Sequence, residues 1–219
     1  MSTATGARSG ASELLADRAY VELRDQIVTL TIPPGAPLDE EALGRELQLG
    51  RTPLREAIKR LALENLISVY PRRGTFVTEI NITDLAHISD VRVELEGHAA
   101  WRAAQRLTPE QRAELDALLA ELVGPGTSAA ADLMGLDARI HRFVYRCAGN
   151  PYLRETLERY LNLSLRIWYL VLSRLPHLFE RVHEHGALLE AIRDGEADRA
   201  RAIAADHVET FEREIRGVL

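Results

Sequence analysis

Arg51–Arg60 (RTPLREAIKR) is the stretch that leaves this chain the fewest options. Drawn at about 100° per residue, it is a helix with two faces. Leu54, Ala57 and Ile58, continued by Leu61, share one face, while Arg51, Thr52, Arg55 and Lys59 cluster on another. The apolar face has to pack on something. A preceding helix begins near Asp39, whose carboxylate suits a cap at the positive helix end, and presents Ala42, Leu43 and Leu47. Gln48-Leu49-Gly50 makes the turn between the two helices. Pro53 is tolerated in the first turn, where amides lack helical partners, and Asn65 can close the helix in a left-handed conformation. Leu66–Tyr70 and Thr75–Glu79 are β-prone runs joined by Pro71-Arg72-Arg73-Gly74, which reads as a hairpin with a basic tip.

Charge inverts over this segment. Between Arg51 and Arg73 stand Arg51, Arg55, Lys59, Arg60, Arg72 and Arg73 against Glu56 and Glu64, in a chain of net charge −6. A local excess of cations on an acidic protein implies a polyanion-binding edge. A helix with a hairpin beside it suits double-stranded DNA, the helix in the major groove and the tip against phosphates or in a minor groove. The overall acidity argues against indiscriminate binding to nucleic acid or membrane.

Elsewhere the pattern is helical. A first helix runs roughly from Glu13 to Leu30, with Tyr20, Leu23, Ile27 and Leu30 on its stripe, until Pro33-Pro34-Gly35 stops it. Residues 1–12, rich in Ser, Thr, Gly and Ala, read as a disordered tail. After a short link at 80–83, six helices are expected. Asp84–Leu107 carries Leu85, Ile88, Val91, Leu95 and Ala99. Thr108-Pro109-Glu110-Gln111 is a capping box with proline at the first helical position, and Gly124-Pro125-Gly126 ends that helix. A third runs from about Ala129 to Ala148, and Asn150-Pro151 opens a fourth. A fifth extends from near Pro176 to Asp194-Gly195, and a sixth from Glu196 to about Arg216. The fold class is therefore mostly α: three helices plus a hairpin over 13–79, then an antiparallel bundle of about six helices over 84–219. Leu161–Leu172 is the most apolar segment, but Asn162, Ser164 and Arg166 interrupt it. No membrane partner is expected. The single Cys147 excludes an intramolecular disulfide and suits a reducing cytoplasm.

Polar residues fall where the bundle should be dry. Asp137 and His141 lie on the stripe of Leu133, Leu136, Ile140 and Val144. His185 is in register with Val182, Leu188, Leu189 and Ile192, and His207 with Ile203, Ala204, Val208, Phe211 and Ile215. Burying one carboxylate and three imidazoles unpaired is costly. Any one such histidine is ordinarily a core residue with a hydrogen-bond partner. Four such residues on three helices favour a divalent metal ion, zinc foremost, with nickel or manganese as the other candidates. His87, His98, His177 and His183 fall off these stripes or near helix ends and read as surface residues.

Two sets of residues carry a family resemblance. Leu30–Val77 resembles the winged helix-turn-helix of GntR-family bacterial transcription regulators. The matches are Pro34-Gly35, Leu38, Leu43, Leu47, Arg51-Thr52-Pro53-Leu54-Arg55-Glu56-Ala57, Leu61, Leu66 and Arg73-Gly74-Thr75-Phe76-Val77. The resemblance implies that Arg51, Thr52 and Arg55 contact operator DNA and that Gly74 lies in the wing. Lys59, Arg72 and Arg73 join them on charge. Gly50 departs from the family's usual Ser or Thr, and Gln48 from its Gly. Glu41 stands where some relatives carry a DNA-contacting basic residue. Asp137-x-x-x-His141, Asn150, Glu184-His185…Ala191-Ile192 and Ala204…His207 are similar to the FCD effector domain, in its smaller six-helix form. That resemblance implies that the four residues hold a metal and that a small organic acid binds beside it, with Arg92 facing the cavity to take the carboxylate. Pairing of Arg92 with Glu96 on the same helix is the alternative.

The expectation is a ligand-responsive DNA-binding regulator, more naturally a repressor. It would read an inverted-repeat operator as a homodimer, with an acid effector reorienting the winged domains through the short link. Two other readings stand beside it: a metal-dependent hydrolase or oxygenase carrying a DNA-binding module, and a regulator whose metal is purely structural.

Overall fold

The computed structural model of the chain describes residues 4–124, 129–175 and 177–219, with side chains from Leu14 onward. It divides into two compact units, 1–81 with 165–169, and 82–164 with 170–219.

In the first unit, α1 (Ala4–Val28), α2 (Glu40–Glu46) and α3 (Arg51–Leu63) accompany three short strands, β1 (Pro37–Leu38), β2 (Ile67–Tyr70) and β3 (Gly74–Val77). The strands form one antiparallel sheet in the order β1-β3-β2, with Val69 opposite Thr75 and Leu38 on the other side of Thr75. The hairpin was legible, but β1, two residues long, was not. Leu54, Ala57, Ile58 and Leu61 of α3 are all buried, and they pack on α1 through Ala19, Leu23 and Ile27. Asp39 Oδ1 accepts from the amides of Glu41 and Ala42, so the α2 cap is the one foreseen. Gly50 occupies the equivalent position of α3 with no side chain to bond. Gln48 and Asn65 make the turns at positive φ, +55° and +63°.

The tail expected over 1–12 is corrected: α1 already begins at Ala4, while residues 1–3 lie outside the described ones. Once the Glu13–Val28 helix is nucleated, each added residue gains a hydrogen bond at low cost. The alanines of this stretch are strong helix formers.

The second unit is all-helical, built of α4 (Asp84–Arg106), α5 (Pro109–Val123), α6 (Ala130–Cys147), α7 (Pro151–Val171, apart from 165–169), α8 (Leu178–His183), α9 (His185–Arg193) and α10 (Ala197–Val218). Both proline-led starts are capped as expected: Thr108 and Gln111 form a capping box, and Asn150 accepts from the amides of Tyr152 and Leu153. Helix α10 packs along most of α4, with α6 and α9 also lying on α4.

Two expectations change here. The single fifth helix is broken at Glu184 into α8 and α9, and its foreseen start at Pro176 lies outside the described residues, as do Pro125 and Gly126. At the break, His185 Nδ1 donates to the Val182 carbonyl at 3.1 Å, taking an acceptor that a continuous helix gives to its backbone. On α4, the buried stripe is Leu85, Ile88, Ser89, Arg92, Glu96, Ala99 and Ala103, so Val91 is exposed and Leu95 only half-buried. A charged pair occupies the inward positions that apolar periodicity assigned to Val91 and Leu95. Among the described residues no helix is long and apolar enough to cross a membrane.

Candidate DNA-reading face and candidate metal centre

On α3, Arg51, Thr52, Arg55 and Lys59 are exposed, opposite the buried apolar face. None is packed beneath its own domain. Arg51 Nη2 donates to Glu41 Oε1 at 2.9 Å, Arg55 Nε to Glu40 Oε2 at 3.1 Å, and Lys59 Nζ to Glu56 Oε1 at 2.7 Å. Arg72 and Arg73 are exposed at the hairpin tip, where Arg72 takes φ +63° and Gly74 φ +104°. The Arg73 guanidinium lies 5.9 Å from the centre of the Tyr70 ring. Left-handed backbone at Arg72 and, two residues on, at Gly74 makes the tip turn tightly, with both arginines in solvent.

In the helical unit, α6 supplies Asp137 and His141 one turn apart, α9 opens with His185, and α10 supplies His207. All four are buried, and one potential ligand atom from each lies within 4.8 Å of every other. His141 Nε2 is 3.8 Å from Asp137 Oδ2, and His185 Nε2 and His207 Nε2 are 3.8 and 3.9 Å from Asp137 Oδ1. These separations are too long for hydrogen bonds. Asp137 Oδ2 and the three Nε2 atoms accordingly have no hydrogen-bond partner. Buried polar atoms left in this way are destabilising unless something else satisfies them. One carboxylate and three imidazoles are a donor set that fits a divalent transition-metal ion, so these residues fit the metal implied by the sequence.

The far sides of the His185 and His141 rings are held. The Val182 carbonyl can only accept, so the proton of neutral His185 sits on Nδ1 and its Nε2 lone pair is free. Glu96 Oε2 lies 2.7 Å from His141 Nδ1 and imposes the same arrangement there. Arg92 Nε and Nη2 hold the other Glu96 oxygen at 2.6 and 2.5 Å. Tyr145 Oη is 3.4 Å from His141 Nδ1, and Glu184 Oε2 is 3.9 Å from His207 Nδ1.

The electrostatics separate the rings. Burial alone would raise Glu96, yet Arg92 and His141 hold it down at about 2. Burial would lower His141, but the carboxylates of Glu96 and Asp137 outweigh it and raise this imidazole. His185 is pushed well below the ordinary range by burial and by the neighbouring His207 and His141. An imidazole kept neutral is one ready to be a ligand.

Residues 15–77 match the bacterial regulatory proteins of the gntR family, and residues 87–210 match the FCD domain. The chain belongs to the GntR family and carries an FCD domain. Among its relatives, the HTH-type transcriptional repressor RspR of Escherichia coli K12 is 25% identical over 91% of this chain and 88% of its own length. The galactonate operon transcriptional repressor of the same organism is 27% identical over 92% of this chain and 97% of its own. The solved structure of E. coli McbR superposes with a TM-score of 0.78 at 25% identity, covering 93% of this chain and 97% of that one. The GntR protein described here is thus a transcriptional regulator, not an enzyme, and the hydrolase or oxygenase reading is set aside.

Asp137, His141, His185 and His207, found on separate apolar stripes, converge. Arg92 is 1% exposed and paired with Glu96, the alternative weighed for it. Glu96 and Tyr145 were missed as neighbours of the centre. Their signal was spacing, Glu96 four residues beyond Arg92 and Tyr145 four beyond His141. His87 and His177 are exposed and His98 and His183 half-buried, outside the cluster.

Proposed function

We propose that this regulator is a ligand-responsive repressor that binds an inverted-repeat operator as a homodimer and senses a small organic acid at a metal centre in its FCD domain. The observation that carries the sensing half is the partnerless set of Asp137 Oδ2 and three Nε2 atoms, all buried at one place. Asp137, His141, His185 and His207 would hold the ion, with zinc the first candidate and nickel or manganese next. When bound, a divalent cation supplies a positive centre that attracts carboxylate and hydroxyl oxygens.

On the DNA side, Arg51, Thr52 and Arg55 would face base edges and nearby phosphates, while Lys59, Arg72, Arg73 and the Gly74 backbone would lie along the phosphates. Each protomer offers one such helix, and a twofold pair of them suits a palindromic site. Two similar proteins are named as repressors, one of them of a galactonate operon. A sugar acid of that kind has the carboxylate and hydroxyls the centre would attract. Arg92 is the cationic fork suited to the acid, and an effector reaching it has to share or displace Glu96. A DNA-bound regulator of this kind works in the cytoplasm, where Cys147 stays reduced.

The test has two arms. Elemental analysis of purified protein should find about one metal per chain. An operator selected from a random duplex pool should then be released by a sugar acid or citrate from metal-loaded protein and not from chelator-treated protein. Metal present with no acid response from any of a broad panel identifies a purely structural ion. No metal, with no zinc uptake, removes the sensing half.

A further inference from the structure

Glu96 touches both His141, a proposed metal ligand, and the buried Arg92. Its side chain is buried with those of Arg92, His141 and Tyr145. Oε1 takes Nε and Nη2 of Arg92, and Oε2 faces His141 Nδ1 at 2.7 Å. We propose that Glu96 is a positioning residue of the metal centre: Arg92 pins one of its oxygens, and the other receives the His141 Nδ1 hydrogen, which leaves Nε2 as the ligand atom.

The inference rests on the metal reading above and adds a residue that reading does not need. His141 has two nitrogens, and an imidazole in a dry interior can be turned either way or carry its proton on either one. His185 is fixed by a backbone carbonyl, which no side-chain change removes. His141 depends on a side chain. A carboxylate on Nδ1 fixes ring orientation and tautomer together and makes Nε2 the more basic donor. A carboxylate free to rotate would do this poorly. Arg92 removes that freedom, since two of its nitrogens converge on the same oxygen one helical turn away. Metal affinity and the state of the arginine are therefore linked through one carboxylate.

Zinc affinity measured by competition with a chromophoric chelator tests this on the full chain. Glu96→Gln keeps the shape and can still accept one hydrogen bond, but it loses the charge, so zinc should bind about 10- to 100-fold more weakly than to wild type. Because that variant strands a buried arginine, the pair Arg92→Gln/Glu96→Gln, which removes both charges, is measured beside it and should show the same loss with an unchanged circular dichroism spectrum. Nitrogen-15 spectra of zinc-loaded wild type should show His141 protonated at Nδ1. Wild-type protein that takes up no zinc defeats the metal reading itself. Zinc bound with equal affinity by wild type and the double variant, or a His141 protonated at Nε2, overturns the role of Glu96 and leaves the metal centre standing.

Discussion

Glu41 Oε1 accepts a hydrogen bond from Arg51 Nη2 at 2.9 Å, and both side chains stand in solvent. Glu40 does the same for Arg55 at 3.1 Å. The first turn of α2 therefore places two carboxylates against the two arginines that α3 would bring to DNA. Exposed pairs of this kind contribute about 0–1 kcal/mol to folding, so their larger effect is on an incoming polyanion. A phosphate has to displace a carboxylate to reach either arginine. Replacing both Glu40 and Glu41 by Gln should strengthen binding to a random-sequence duplex about fivefold, equivalent to about 1 kcal/mol. It should also steepen the dependence of affinity on salt. Fluorescence anisotropy over a potassium chloride series reads both, and an unchanged affinity and slope would mean that the carboxylates do not compete with phosphate.

The basic residues separate by role. Arg51→Ala or Arg55→Ala should weaken a selected operator by about 1–3 kcal/mol and relax base preference at one position of each half-site. Lys59→Ala should weaken operator and random duplex alike and reduce the salt slope by about one. A gel-shift titration in which Arg51→Ala binds the operator as wild type does would move recognition off α3.

How much of this was readable beforehand depends on how local the cause is. Asp39, Thr108 and Asn150 act within three residues of themselves, and each is the cap its sequence announced. The buried cluster of Asp137, His141, His185 and His207 was legible because a polar side chain on an apolar stripe stands out whatever lies opposite. Glu96 was hidden for the reverse reason. Apolar periodicity runs the α4 stripe through Val91 and Leu95, whereas its burial runs through Arg92 and Glu96, a pair whose cost is met by His141 on another helix. The break at Glu184 was equally out of reach, because a histidine side chain bonding a carbonyl of the turn before it leaves no periodic trace.

Metal removal should be felt as stability. An ion bound to the folded state alone at 100 times its dissociation constant adds about 2.7 kcal/mol. For a chain of this size that is a rise of roughly 5–10 °C in Tm. Chelator-treated protein should gain that shift on adding zinc, and Asp137→Asn should not, since it takes away the carboxylate around which the three Nε2 atoms gather. A zinc-induced shift retained in Asp137→Asn would place the ion elsewhere.

Cys147 closes α6, buried at 2% exposure, and its thiol is pushed up to about 12 by burial, against a small opposing pull from Arg146. The nucleophile is the thiolate. At pH 8 a group titrating near 12 is ionised to about one part in ten thousand, roughly a thousandfold less than an unfolded cysteine. Iodoacetamide should therefore label the native protein roughly a thousand times more slowly than the urea-unfolded chain, and the native rate should climb about tenfold per pH unit from 8 to 11 without levelling near 9. The stability follows in sign. Between about 9 and 12 the folded chain keeps a proton that the unfolded chain gives up, so this thiol favours unfolding increasingly as pH rises through that window. Cys147→Ala should flatten that part of the alkaline stability profile in urea titrations. Native labelling that levels off near pH 9 would mean the thiol reaches solvent in the folded protein.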